Sequence, residues 1–156
     1  MSTGRIHALA TVVVAGASGP LLVSLGHTPL PAAASFMGGC MLGLVINPDL
    51  DIRRPTHAED VVRSTMGRLL AWLWYALWWP YAHFIPRHRH PLSHFPVLGT
   101  LVRVLYLILL LSLVWFGLGF LVALPPLTFP SASSGLWWAL AGLCLVDCLH
   151  ALMDRV

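Results

Sequence analysis

Seven side chains in a mostly apolar sequence have the types and spacing of a metal centre: His7, Asp49, Asp51, His88, His94, His150 and Asp154. Asp49 and Asp51 belong to a Pro-Asp-Leu-Asp turn, where Pro48 disfavours helix continuation and the two carboxylates can reach one or two cations. His150 and Asp154 are four residues apart and therefore neighbours on a helix. Asp147 shares their face and is expected either to join them as a ligand or to orient His150 from behind. The run His88-Arg89-His90-Pro-Leu-Ser93-His94 supplies further imidazoles. Mixed His/Asp ligation suits Zn, Mn or Fe better than Mg or Ca. Seven candidates exceed what one tetrahedral ion requires, so one or two divalent transition-metal ions are expected, Zn first among them.

Taken singly, each group has an ordinary explanation. Asp-x-Asp is commonly a turn, and His-x-x-x-Asp a solvated helix end. The His88–His94 run can be a basic headgroup-binding patch, and His7 an interfacial histidine. Their joint appearance favours the metal centre. His27 falls at the far end of its helix and is excluded, while His57, His83 and His90 read as surface or interface residues. The fork of Arg89 can hold a phosphate bidentately, with an ordinary orienting arginine as the alternative. Arg53, Arg54 and Arg103 are weaker candidates for that task. No Ser-His-Asp order, nucleophilic Cys setting, phosphate-cradling Gly loop or dinucleotide fingerprint accompanies them. Water activated by a metal is the remaining route to hydrolysis.

The elements that must position these groups are membrane helices. The hydrophobic fraction is 58%, mean hydropathy is +0.79, and no Asp, Glu or Arg occurs from residue 6 to 48 or from 104 to 146. A span needs about 20 mostly apolar residues, so each stretch holds two. The expected fold is all-α, a single integral membrane domain over 1–156. Its four transmembrane helices cover about 7–25, 32–46, 100–124 and 135–153. Gly39 and Gly43 form a small-x-x-x-small pair that permits close helix contact. The segment 47–99 is polar and interfacial. Within it, 69–86 carries Trp72, Trp74, Trp78 and Trp79, is interrupted by Pro80, and reads as a Trp-rich interfacial or re-entrant helix, with a fifth span as the alternative.

All nine basic residues are arginines, and the net charge of +3 reads as membrane orientation with no nucleic-acid partner. The long segment holds six arginines while the turns at 26–31 and 125–134 carry no formal charge, so both termini and 47–99 are expected in the cytoplasm of an inner or plasma membrane. Cleavage of a signal peptide at Ala15-Gly-Ala17 is not expected, since it would remove His7. Cys40, Cys144 and Cys148 read as packing residues without a disulfide framework. In this topology every candidate ligand lies at the cytoplasmic end of its helix.

Gly4-Arg5-Ile6-His7, Asn47-Pro-Asp-Leu-Asp51, His88-Arg89-x-x-Leu-Ser93-His94 and His150-x-x-x-Asp154 resemble, in order, motifs of small metal-binding membrane proteins related to the YdjM-type membrane-bound metal-dependent hydrolases. Ser93 stands where that pattern has Thr, and no substrate-shaping segment is expected after the last helix. The group is distantly similar to zinc phospholipases C, which implies phosphoester hydrolysis. On that reading Arg89, Asp51 and Ser93 act on a lipid or isoprenoid phosphate at the cytoplasmic leaflet. The alternative is a non-catalytic accessory subunit, stapled by its metal and docked on a larger membrane complex or on its own copies. A transporter is a third option, poorly served by four spans without an inverted repeat. Cysteine-accessibility labelling should find Arg63 on the opposite side of the membrane from positions 27 and 125–134. Labelling on one side would overturn the topology.

Overall fold

The computed structural model describes residues 4–26, 28–125 and 134–155. Position 27 and most of the loop after Pro125 lie outside the described residues. Among those described, seven α-helices and one 3-10 turn occur and no strand: α1 (Gly4–Ser24), α2 (Leu30–Leu42), the turn Pro48–Asp51, α3 (His57–Met66), α4 (Arg68–Phe84), α5 (Pro91–His94), α6 (Leu98–Gly119) and α7 (Ser134–Met153). Three of them, α1, α6 and α7, are long and apolar enough to cross a membrane.

α2 is the centre of the bundle and packs mainly on α7 and α1. Along α1 the buried residues His7, Thr11, Ala15 and Gly19 recur every fourth position, the spacing of one helical stripe. α2 meets α7 through small residues: Gly39 lies against the Ala139 backbone and Gly142 against the Phe36 carbonyl. A side chain at either glycine would collide with backbone, which cannot move aside as a side-chain tip can. Cys40 Sγ reaches the Gly142 carbonyl at 3.4 Å from the same seam.

α2 ends at Leu42, so the continuous helix expected to Ile46 is replaced by turns that lead into the Pro48–Asp51 segment. Gly43 caps it, and the approaching Pro48 cannot donate a helical backbone bond. The stretch 47–99 is richer than one interfacial helix. α3 begins at a capping box in which Glu59 Oε2 accepts from the Thr56 backbone N–H and hydroxyl, both at 2.6 Å. Gly67, at φ 90°, makes the turn into α4. α4 runs through Pro80 without the expected interruption, because only its last turn follows the proline. Trp78 and Tyr81 of α4 pack with Leu50, Ala58, Ile85 and Tyr106 into a second core beside the bundle.

The chain leaves the bundle after α2 and re-enters at α6 from the same end, since Asp49 Oδ1 and His94 Nε2 are 3.8 Å apart. A single crossing by α4 is incompatible with that return. The α2–α7 seam sets the register of the whole bundle. Gly39→Ala should cost about 1–3 kcal/mol and lower the unfolding midpoint, whereas Gly38→Ala, which meets open space, should leave it near wild type. Thermal unfolding in one detergent compares them directly, and equal midpoints would refute the seam's importance.

Candidate metal centre

Four segments end at one place. His7 lies near the start of α1, Asp49 and Asp51 in the turn after α2, His88 and His94 before α6, and His150 and Asp154 at the end of α7. The His7 and His150 rings stack with centroids 3.9 Å apart. The donor atoms of His7, His150 and Asp154 all lie within 4.8 Å of one another, and so do those of Asp49, His88 and His94. The two groups touch. His150 Nε2 is 3.4 Å from Asp49 Oδ1 and 3.7 Å from Asp154 Oδ2, and His94 Nε2 is 3.8 Å from both Asp49 Oδ1 and Asp154 Oδ2.

These spacings are too long for good hydrogen bonds of about 2.7–3.2 Å. They approach the edge of a donor polyhedron, roughly 3.3 Å for tetrahedral bonds of about 2.0–2.1 Å. His94 Nε2 and His150 Nε2 are buried and have no hydrogen-bond partner among the described residues, which is costly for polar atoms unless something else coordinates them. The donor set therefore fits a cation.

Asp51 does a different task. Its carboxylate is fully enclosed: Oδ1 lies 2.7 Å from His88 Nδ1, and Oδ2 accepts from the Ser93 hydroxyl at 2.6 Å and the Arg89 backbone N–H at 3.2 Å. His94 Nδ1 lies 3.0 Å from Ser93 Oγ and 3.4 Å from Asp51 Oδ2. Asp51 and Ser93 thus hold both imidazoles by their Nδ1 atoms and direct Nε2 into the site, the usual arrangement behind metal-binding histidines. Both side chains are buried behind the imidazoles they hold. Sequence patterning cannot separate two carboxylates one residue apart that face different ways.

Asp147 faces a different pair of partners. It neither joins the ligands nor contacts the His150 ring through a hydrogen bond among the described residues. It is buried against Arg103 and Thr100, both of which donate to its Oδ2. Arg103 is fully buried and also donates to the Ser93 carbonyl at 2.8 Å, which removes it as a phosphate clamp. Arg89 remains half-open, its guanidinium 3.1 Å from Asp154 Oδ1, and its φ of 63° is a left-handed conformation that aims its N–H at Asp51. Arg53 turns away and donates to the Ala82 carbonyl. His83 contacts the Trp79 carbonyl and His90 accepts from the Leu92 N–H, but His57, read as surface, borders a narrow crevice with His7, Asp49 and His150.

Electrostatics keep the carboxylates ionised. Burial alone would raise the Asp49 carboxyl, but the His150 and His94 imidazoles beside it outweigh burial and hold the group far below the usual range. Asp51 is lowered in the same way, with His94, Ser93 and His88 opposing its burial. Burial would lower His94, yet Asp49 and Asp51 prevail and push it up to about 9. A proton on His94 is therefore favoured below that pH and must leave when a cation binds. Apparent affinity for Zn should rise by about tenfold per pH unit from 7 to about 9 and then level. Chelator competition across that range checks this, and a flat profile would count against it. Asp49→Ala should lose the ion held with His88 and His94 in an elemental analysis, and retention of full metal content would reject Asp49 as a ligand.

No curated protein matches the chain, and no solved structure does. The family model described as uncharacterized metal-binding protein (DUF2227) matches residues 2–156, nearly the entire sequence. The chain, whose buried imidazoles and carboxylates converge as a cation would require, belongs to that metal-binding family.

Proposed function

We propose that this protein is a membrane-embedded metal-dependent hydrolase of phosphoesters, acting on a lipid or isoprenoid phosphate at the cytoplasmic end of a four-span bundle. In this reading α2 and its trailing turns form the fourth crossing, and α4 lies at the interface with Trp72 and Trp79 exposed toward the headgroups. The observation that carries it is the make-up of the two donor groups, each of two histidines and one aspartate. Three protein ligands per ion leave coordination positions open, as catalytic sites do, whereas a purely structural ion takes four. The resemblance to YdjM-type hydrolases supports the same direction.

Two divalent ions, Zn first, supply Lewis acidity and lower the pKa of water when bound. The chain's own residues do the rest. His88 and His94 are fixed by Asp51 and Ser93, so the donors need not reorganise. Arg89, held on Asp154, offers its planar fork to a non-bridging phosphoryl oxygen. Asp49 and Asp51 are held in the charged form beside the imidazoles, and the guanidinium of Arg89 is the positive group that would face a phosphate.

The test is metal content followed by turnover. About two Zn per chain, hydrolysis of phosphatidic acid or an isoprenoid diphosphate, and a fall of at least about tenfold in Arg89→Lys with metal retained are expected. A fully loaded protein that hydrolyses nothing on a broad lipid-phosphate panel, with one ion in a closed four-ligand site, would favour the metal staple.

A further inference from the structure

The donor groups open to the outside through one roomy side. A cleft of about 280 Å³ is bordered by Arg89, His94, Phe95, Pro96, Asp154 and Arg155. His94 belongs to one donor group and Asp154 to the other, so the cleft looks onto the seam between them. On the His7 and His57 side the crevice holds only about 20 Å³, space for a water and nothing larger. The larger of these two openings is the one bordered by the arginines.

The cleft's walls differ in character. Arg89 is anchored on Asp154, and Arg155 follows Asp154 in the chain, is exposed, and has no carboxylate within ion-pair reach among the described residues. Facing them, Phe95 is 61% exposed, an uncommon place for a phenyl ring, and Pro96 continues its apolar surface. That surface leads to Leu98, exposed at the start of α6, and Leu152 is exposed beside Ala151 on α7. Both helices are membrane-crossing candidates. A charged wall meets the donors and an apolar wall leads toward the bilayer.

We propose that this cleft is the seat of an amphiphilic phosphate, whose headgroup lies between Arg89 and Arg155 and whose hydrocarbon leaves over Phe95 and Pro96 toward α6. The inference deepens the phosphoester reading and rests on it for the choice of phosphate over carboxylate. Arg155 is a second clamp that sequence position alone marks only as a positive-inside arginine. Two separated guanidiniums suit a terminal phosphate, which presents several free oxygens, better than the single free edge of a carboxylate.

The experiment measures binding of inorganic phosphate, hexyl phosphate and hexanoate to the Zn-loaded full chain in lipid nanodiscs, by calorimetry. Hexyl phosphate should bind at least about tenfold tighter than inorganic phosphate, in line with burial of its methylenes, and hexanoate far more weakly. Arg155→Gln should weaken both phosphates by about tenfold at unchanged Zn content, since a charge-assisted contact is lost. Phe95→Ala should remove most of the hexyl advantage and leave inorganic phosphate alone. Equal binding of the two phosphates, equal binding of hexanoate and hexyl phosphate, or an unaffected Arg155→Gln would each overturn the proposal. Binding as expected, together with no turnover of any lipid phosphate, would support the seat and sink the hydrolase reading instead. Turnover that persists while Arg155→Gln and Phe95→Ala bind like wild type would sink the seat and leave hydrolysis standing.

Discussion

The pairing of Arg103 with Asp147 is the contact on which the arrangement depends. Both side chains are removed from solvent, and each would be very costly without the other. α6 touches α7 sparingly along the rest of its length, and its outward residues Leu105, Leu109 and Leu113 are exposed. The ion pair, reinforced by Thr100, thus joins the start of α6 to the bundle. From there the connection continues. Arg103 holds the Ser93 carbonyl, the Ser93 hydroxyl holds Asp51, and Asp51 holds His88. One polar network runs from α7 through α6 to the turn after α2, and the donors stand at its far end. A hydrophobic pair of similar volume at 103 and 147 could preserve the helices, but it could not reach the Ser93 carbonyl.

The same geometry explains how a few carboxylates are accommodated in an apolar chain. Asp49, Asp51 and Asp154 are close to imidazoles and Arg89, while Asp147 has its own guanidinium. The membrane portion is therefore neutral in parts, with charge confined to two paired locations. Placing both beside helix ends keeps long α6 and the outer faces of α1 and α7 free for hydrocarbon.

Much of this was legible beforehand in particular residues. The charge-free runs mark α1, α6 and α7 to within a few residues, because hydropathy over a span is a strong signal. The grouping of His7, Asp49, His94 and Asp154 at one end follows from counting helices between them, since alternating directions bring alternate ends together. α3 is marked only by Thr56-x-x-Glu59, a capping-box signature, because an amphipathic helix gives no hydropathy peak. The partner of Asp147 is not legible, because Arg103 is distant in sequence while His150 is an i+3 neighbour. The division of labour between Asp49 and Asp51 depends on how a single 3-10 turn directs successive side chains, which spacing does not encode.

The split of the donors between segments sets an order in time. As the chain is made from its N-terminus, Asp49, His88 and His94 have all emerged before α6 is complete, but the Arg103–Asp147 contact behind them closes only when α7 arrives. The other group joins the first helix to the last and lacks two of its three donors until α7 arrives. Both donor groups therefore wait on the last helix, one for its ligands and the other for the contact that braces it.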